Sequence, residues 1–213
     1  MKILVTGFDP FGGEKINPSF EAVKKIKLEN KDIELHIKEI PTVFKKAIKV
    51  LYETMAEIKP DVVICTGQAG GRYDITPERV GINIVDARIS DNEGDQPVDE
   101  KIFEDGENAY FATLPIKAAV KNLKEEGIPA SVSNTAGTFV CNHLLYGLMY
   151  LIDKKYPEVR GGFVHVPFLP EQVLDKAQKP YMSLDQMAEA LSIIVETSAT
   201  VKEDIKEVGG KTH

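Results

Sequence analysis

Three short apolar segments, each ending in glycine or a turn, constrain the fold of this chain more than any other feature of its sequence. They are Lys2–Thr6, Asp61–Gly67 and Gly162–Val166. Such runs are typical of strands that are buried on both faces, as in parallel sheets. Helical patterns separate them, and strands that alternate with helices predict an α/β fold. We therefore predict a three-layer α/β/α sandwich with a mostly parallel central sheet, formed by a single domain over residues 1–213 with a polar tail from about residue 200.

Further elements follow from local patterns. Helices are predicted after the cap Asn17, from Phe44, from Pro115, from Cys141 and after Ser183. Additional strands are predicted over residues 33–41, 80–89 and 130–133. Residues 67–79 are predicted to form a loop. The acidic stretch 90–108 is either disordered or a functional excursion, at a subunit contact or over the site.

Composition excludes several classes of function. The formal net charge of −7 argues against a nucleic-acid or anionic-membrane partner. No apolar run reaches the roughly 20 residues that a membrane span requires, and no signal-peptide pattern opens the chain. We therefore expect a cytoplasmic protein, in which Cys65 and Cys141 are free thiols. The sequence contains no zinc-like Cys/His spacing.

The stretch SVSNTAGTFVCN brings Cys141 to the start of an apolar helical pattern. A thiol at a helix N-terminus feels the positive end of the helix dipole and lies near unpaired N–H groups. Both favour the thiolate, and the same N–H groups can hold an oxyanion. A buried cysteine that acts only as a small hydrophobic residue is the alternative. Cys65, within the apolar run VVIC, fits that structural role.

Because ligands bind at the carboxyl ends of parallel strands, the loops that begin at Gly7, Gly67, Thr135 and Val166 should share one edge of the sheet. His165 lies near the end of its strand and is therefore the histidine that could meet Cys141. A hydrogen-bonded core histidine is the competing interpretation.

The remaining histidines are less suited to that role. His36 is predicted to point to the polar side of its strand. His143 lies about 200° around the helix from Cys141, at ~100° per residue, and His213 is terminal.

A third group usually orients the imidazole, and two carboxylates qualify. Glu78 and Asp86 both follow the GQAGG loop, and either could instead pair with Arg79 or Arg88. Periodicity does not choose between them. Arg88 could alternatively stabilise an oxyanion.

The loop GFDPFGG lacks the pattern of a phosphate-binding loop or of a dinucleotide fingerprint. It places Phe8 and Phe11 at the predicted site edge, where they could line a pocket or pack in the core.

With these residues in place, the chain resembles pyroglutamyl peptidase type I, a family of cysteine peptidases, from ILVTGFDPFGG to HVPFLPEQ. The stretch GQAGGRYDITPERVGIN matches the signature around the family's catalytic glutamate, which falls on Glu78. VSNTAGTFVCN matches the signature of the nucleophile, which falls on Cys141, and the histidine of HVP falls on His165.

The resemblance implies removal of N-terminal pyroglutamate (5-oxoproline) from peptides through a thioester, without metal or cofactor. It also implies a fold similar to that of purine nucleoside phosphorylases and assembly into a homo-oligomer, a dimer or a tetramer. Arg88 and the N–H of Cys141 would hold the oxyanion. The implied substrate-binding residues are Phe8, Phe11, Thr42, Gln68, Ile89, Phe139 and Val140.

Two other functions remain open at this stage, because a fold does not fix a function. One is a nucleoside phosphorylase or hydrolase, which would need a phosphate-binding set of arginines. The other is a non-catalytic protein that binds the lactam without turnover.

Overall fold

A five-stranded sheet organises the chain, with the strand order β2-β1-β3-β7-β4. The computed structural model describes residues 1–210. Neighbouring strands are parallel, except that β4 runs antiparallel to β7. The strands are β1 (Lys2–Phe8), β2 (Glu34–Ile40), β3 (Val62–Gln68), β4 (Thr76–Pro77), β5 (Val80–Ile82), β6 (Ala109–Phe111) and β7 (Arg160–Val166). Strands β5 and β6 form a separate antiparallel pair.

Helices cover both faces of the sheet, which confirms the predicted three-layer sandwich. They are α1 (Pro18–Val23), α2 (Lys46–Ile58), α3 (Ile116–Glu125), α4 (Val140–Lys155) and α5 (Leu184–Thr200), and a 3₁₀ turn covers Pro170–Val173. Alternation along β1 shows how the layers form: Ile3 and Val5 pack against α1, α3 and α5, whereas Leu4 packs on the other face with α2 and α4. Within residues 1–210, no helix is long and apolar enough to cross a membrane.

The carboxyl ends of the central strands meet at one edge, as predicted. Phe8 of β1 pairs with Ile40 of β2, and Gln68 of β3 pairs with Val166 of β7. The turn at Thr135 reaches the same edge, because the Arg72 side chain donates a hydrogen bond to the Thr135 carbonyl. The local helix signals also hold: the Asn17 side chain accepts from the Ser19 N–H at 3.1 Å and caps α1.

Three strand and loop predictions were wrong in detail. The predicted strand 80–89 is regular only over β5, and beyond it Val85 forms an isolated bridge with Glu100. The predicted loop 67–79 contains β4, a two-residue strand that no local pattern indicates. The run 130–133 forms isolated bridges instead of a ladder, with Ala130 opposite Ile75 and Ser133 opposite Glu78. In each case pairing with a distant segment decided the conformation.

The acidic stretch 90–108 is ordered by contacts with the rest of the protein. The Asp91 carboxylate accepts from the Phe44 N–H, and Asn92 donates to the carbonyl of Pro10. Farther along, the Phe103 ring stacks on Tyr150 of α4 at 4.0 Å between centroids. The stretch therefore joins the loop after β1 to the outer face of α4.

The predicted polar tail is held in place over its described part. Asp204 accepts hydrogen bonds from the N–H groups of Lys117 and Ala118 in the first turn of α3. Arg79 donates to the Gly209 carbonyl at 2.6 Å. The prediction for His213 falls outside the described residues.

His143 should make the stability of this fold dependent on pH. Its side chain is buried, and its Nε2 accepts the Lys45 N–H at 3.0 Å. Burial, with a smaller effect from the charge of Lys45, lowers the pKa of His143 to about 4. The unfolded chain takes up this proton below about pH 6.5, so stability that is complete above pH 6.5 is lost as the pH falls towards 4, by up to about 3 kcal/mol.

The measurement is denaturant-induced unfolding of wild type and His143→Gln between pH 4.5 and 7.5. We expect the stability advantage of the wild type to shrink as the pH falls. His36→Gln, on the edge strand β2, is the matched control. If the free energies of unfolding of wild type and His143→Gln differ by the same amount at every pH, His143 does not make the stability of the fold dependent on pH.

Candidate active site

Cys141 lies in the first turn of α4, directly above strand β3. Phe139 occupies the N-cap position, and a Cβ atom added to Gly67 would lie 3.0 Å from the Cys141 Sγ and 2.8 Å from the Phe163 ring. Such distances leave no room for a side chain at position 67. Glycine at the end of β3 therefore makes space for the thiol.

His165 is the residue of β7 that pairs in register with Gly67. Its side chain is only 3% exposed, and its ring centroid lies 4.8 Å from that of Phe163. The Cys141 sulfur lies over Gly67 of β3, and His165 is the residue paired with Gly67 on the neighbouring strand β7. His165 Nδ1 lies 2.7 Å from Glu78 Oε1.

Glu78 reaches His165 because the chain turns back after the GQAGG loop. Thr76 of β4 pairs antiparallel with His165, and two residues later the Glu78 N–H donates to the Phe163 carbonyl at 2.8 Å. The alternative carboxylate, Asp86, is exposed, and its backbone bonds to Thr138. Of the two carboxylates that the sequence left open, Glu78 is the one that contacts the imidazole.

The charge of Glu78 fixes the orientation of the imidazole proton. Burial alone would raise the pKa of the Glu78 carboxyl, but the hydrogen bond from His165, the charge that His165 carries when it is protonated and the charge of Arg72 outweigh burial and lower that pKa. An ionised carboxylate can only accept hydrogen bonds, so His165 Nδ1 must donate. The lone pair of the neutral imidazole then lies on Nε2.

The thiol does not have the pKa predicted from its position. Burial and, to a smaller extent, the negative charge of Glu78 raise the pKa of Cys141 to about 12. The positive charge of Arg72 and the Cys141 N–H lower it by less. The helix N-terminus thus lowers the pKa of the thiol, as expected, but desolvation raises that pKa by more. Burial also lowers the pKa of His165, although Glu78 opposes this, so both the thiol and the imidazole are neutral at pH 7.

Arg72 is also part of this site, although no sequence pattern indicates a role for it here. Its Nη1 donates to Glu78 Oε1 and to Thr76 Oγ1, each at 2.6 Å, and its Nη2 donates to the Thr135 carbonyl at 2.9 Å. The only local signal was its place at the end of GQAGGR. Its contacts depend on the return of the chain through β4.

Aromatic side chains cluster around Phe139, at the N-cap of α4. Phe139 contacts Phe11 at 6.3 Å and Phe44 at 5.3 Å between ring centroids. Phe8 is buried and lies 6.4 Å from Phe163. Phe44 was not among the predicted residues, since the helical pattern assigned it to the core.

The other predicted substrate-binding residues have varied surroundings. Thr42 is buried, and its N–H donates to the Asp9 carboxylate at 2.7 Å. The Gln68 side chain accepts from Gln172 at 2.9 Å. Val140 is fully buried, whereas Ile89 is 49% exposed.

Arg88 is exposed and is the proposed oxyanion residue. It follows Asp86 and the buried Ala87 on the segment that bonds to Thr138, three residues before Cys141. Cys65 is buried, and burial raises its pKa to about 12. His36 bonds to Glu34 on the partly exposed strand β2.

A thiol at a helix N-terminus beside a carboxylate-oriented histidine is the arrangement of a cysteine hydrolase on an α/β scaffold. The comparisons with known proteins give the particular group. The chain belongs to the pyroglutamyl peptidase family, whose sequence profile matches residues 1–201.

Individual relatives match over nearly the full length. Pyrrolidone-carboxylate peptidase of Finegoldia magna is 59% identical over 100% of both chains, and that of Clostridium botulinum is 57% identical over 99% of both. A crystal structure of pyroglutamyl peptidase I from Bacillus amyloliquefaciens superposes with a TM-score of 0.93 at 54% identity, covering 96% of this chain and 99% of that one. A mutant pyrrolidone carboxyl peptidase of Pyrococcus furiosus gives 0.90 at 44% identity, with 93% and 98% covered.

The raised pKa of the thiol predicts how Cys141 reacts with an alkylating agent in the absence of substrate. Because only the thiolate reacts, the rate constant with iodoacetamide should rise about tenfold per pH unit between pH 6 and 9, without levelling off. Peptide mapping by mass spectrometry measures the modification at this cysteine. In the control Cys141→Ser, which retains buried Cys65, modification should be slow throughout. A plateau near neutral pH would instead indicate a preformed thiolate–imidazolium pair.

Proposed function

We propose that this protein is a pyroglutamyl peptidase that removes N-terminal pyroglutamate with Cys141 as nucleophile, His165 as general base and Glu78 as the residue that orients His165. The observation that carries the proposal is the placement of the Cys141 thiol over Gly67, whose strand partner is the carboxylate-bound His165. The whole chain would act as one catalytic domain without a metal or cofactor.

The chemistry is acyl transfer in two steps. As the Cys141 sulfur attacks the pyroglutamyl carbonyl, its proton passes to His165 Nε2, and the C–N bond breaks as that proton is given to the leaving amine. Water then attacks the thioester carbonyl and gives a proton to His165. The C–S bond breaks, which releases pyroglutamate, and His165 returns the proton to the sulfur. Since the resting thiol is neutral, the base must act during the attack.

Negative charge that develops on the carbonyl oxygen needs a preorganised partner. We assign this role to the Cys141 N–H in the first turn of α4 and to the guanidinium of Arg88. The location of Arg88 supports this assignment. Arg88 is exposed, and it lies two residues after Asp86, whose N–H donates to the Thr138 carbonyl just before α4.

An aromatic pocket accounts for the preference for a lactam. Phe8, Phe11 and Phe139 would enclose the flat, uncharged ring, with Thr42, Ile89 and Val140 completing the wall and the backbone at Gln68 and Val140 bonding to the ring amide and carbonyl. A glutamyl residue would bring ionised groups into this apolar surface at a large desolvation cost. Phe44 supports the pocket, because its edge contacts the Phe139 ring.

The arginines argue against a nucleoside phosphorylase. Arg79 bonds to Asn134 and Gly209, Arg160 bonds to the carbonyls of Ser198 and Val201, and Arg72 pairs with Glu78. They do not converge on a common phosphate site. A purely binding role would not require the oriented imidazole beside the thiol.

We further propose that the protein acts in the cytoplasm as a homo-oligomer, a dimer or a tetramer, on peptides with an N-terminal pyroglutamate. The two free thiols suit a reducing compartment. The net charge of −7 is consistent with a protein that binds neither nucleic acid nor a membrane surface.

Substrate selectivity tests the pocket. Proline has the shape of the ring but lacks its carbonyl, which would leave a buried donor unpaired at a cost of about 1–3 kcal/mol. We expect kcat/KM for a prolyl amide to be at least about tenfold below that for the matching pyroglutamyl amide, measured by release of a fluorescent amine. Cys141→Ser should abolish release and Cys65→Ser should retain it. Comparable rates for the two substrates would contradict this pocket.

A substitution tests the oxyanion assignment. Arg88→Ala should lower kcat by about 10²–10³-fold with a smaller change in KM, because the lost donor acts mainly in the transition state. Steady-state kinetics with the pyroglutamyl amide measure both constants. Arg160→Ala, far from the site edge, provides the control for removal of an arginine. Near-normal turnover of Arg88→Ala would exclude Arg88 from the oxyanion site.

A further inference from the structure

Arg72 joins three parts of the site through one guanidinium group. Its Nη1 lies 2.6 Å from both Glu78 Oε1 and Thr76 Oγ1, and its Nη2 donates to the Thr135 carbonyl. Glu78 is fully buried, while the Arg72 side chain remains 29% exposed. The arginine thus reaches from the surface to a carboxylate that water does not contact.

A buried carboxylate needs more than a hydrogen bond from a neutral imidazole to remain ionised. Transfer of an unpaired carboxylate to such a position favours its protonated form, and a nearby positive charge reverses that preference. While His165 is neutral, it supplies a hydrogen bond without a full charge. Arg72 supplies the full charge, and it contacts the same carboxylate oxygen that His165 contacts.

We propose that Arg72 is a positioning residue of the catalytic site, which keeps Glu78 ionised and directed at His165 so that the imidazole carries its proton on Nδ1 and presents Nε2 to the thiol. A protonated Glu78 could itself donate to Nδ1, and the imidazole would then carry its proton on Nε2 and be unable to accept one from sulfur. This inference rests on the proposed function only for its kinetic readout.

The second arm of Arg72 extends this role to the nucleophile. The Thr135 carbonyl belongs to the turn that leads into α4, and Ser133, two residues earlier, forms a bridge with Glu78. One side chain therefore holds together the carboxylate and the turn before Cys141. The charge of Arg72 also opposes the effect of burial on the pKa of the thiol and, together with burial, lowers the pKa of His165.

The pH profile of kcat/KM distinguishes this role from a merely structural one. Loss of the Arg72 charge raises the pKa of both Glu78 and His165, so the acid limb of the profile for Arg72→Met should move to higher pH by about one unit, with turnover lowered at least about tenfold. Arg72→Lys keeps a charge but not the two-armed geometry. The acid limb of Arg72→Lys should therefore lie close to the pH of the wild-type limb, while its kcat should still be lower than that of the wild type.

Arg79→Met is the matched control, because Arg79 follows Glu78 in the chain and its side chain donates to Asn134 and to the Gly209 carbonyl. It should leave the acid limb in place. Thermal unfolding of each variant shows whether the protein is folded. If Arg72→Met is folded and the acid limb of its kcat/KM profile lies at the same pH as that of the wild type, the proposal is overturned. If Arg72→Met does not fold, the proposal is overturned when the acid limb of Arg72→Lys moves by the full unit expected for Arg72→Met.

A double substitution tests whether Arg72 acts through Glu78. If it acts mainly through Glu78, adding Arg72→Met to Glu78→Gln should lower kcat/KM by much less than the loss of about tenfold or more in the wild-type background, with the remainder due to the bond to Thr135. A loss as large as that in the wild-type background would show that Arg72 acts independently of the carboxylate, against the proposal.

A readout independent of turnover separates this inference from the proposed function. Nitrogen-15 NMR of the histidines reports the protonated nitrogen of His165, and we expect Nδ1–H in the wild type with a titration shifted to higher pH in Arg72→Met. A wild type that releases no amine from a pyroglutamyl amide would overturn the proposed function, while the NMR result would still decide the role of Arg72. An identical His165 titration in both proteins would overturn the inference alone.

Discussion

The parallel pairing of β3 with β7 is the interaction on which the site depends. It sets Gly67 beside His165, and the missing side chain of Gly67 gives the Cys141 sulfur a place above the sheet. The first turn of α4 packs against the sheet at Gly67, because Leu144 and Leu148 of the same helix bury their side chains on this face of the sheet. The relative placement of Cys141 and His165 therefore depends on regular strands and a helix, not on a loop.

The first turn of α4 is anchored by the two residues that follow Cys141. The Asn142 side chain bonds to the backbone of Ile82 and Ile84, and His143 accepts the N–H of Lys45. A buried polar group that lacks a hydrogen-bond partner is costly in free energy. These hydrogen bonds therefore favour the one arrangement of the helix end in which they can form. Residues that look like ordinary core positions thereby hold the thiol in register with β3 and β7.

Electrostatics and burial act in opposite directions at this site. Burial removes the stabilisation that water gives to thiolate, carboxylate and imidazolium alike. Glu78 alone receives enough compensation, from His165 and Arg72, to have a lowered pKa. The result is a site with one fixed negative charge and a neutral thiol, which suits proton transfer during attack better than a preformed ion pair.

The sequence predicts those features that local patterns determine. The strands β1, β3 and β7 and the cap of α1 follow from apolar runs and from Asn17, and the shared edge follows from parallel topology. β4 and the network of Arg72 were missed because they depend on antiparallel pairing between Thr76 and His165, which are far apart in the chain. The choice of Glu78 over Asp86 came from family resemblance, since both lie within one loop-rich segment. The shift in the pKa of Cys141 was predicted in the wrong direction, because desolvation of the thiol depends on tertiary packing.

Covalent labelling with a chloromethyl ketone derivative of pyroglutamate, followed by peptide mapping, tests directly whether Cys141 is the nucleophile of this site. We expect one label, on Cys141, which excess free pyroglutamate suppresses and which Gly67→Val greatly slows by occupying the position of the sulfur. A label on Cys65 or on a residue outside this edge of the sheet would show that Cys141 is not the nucleophile, as would full peptidase activity in protein with no label after prolonged exposure.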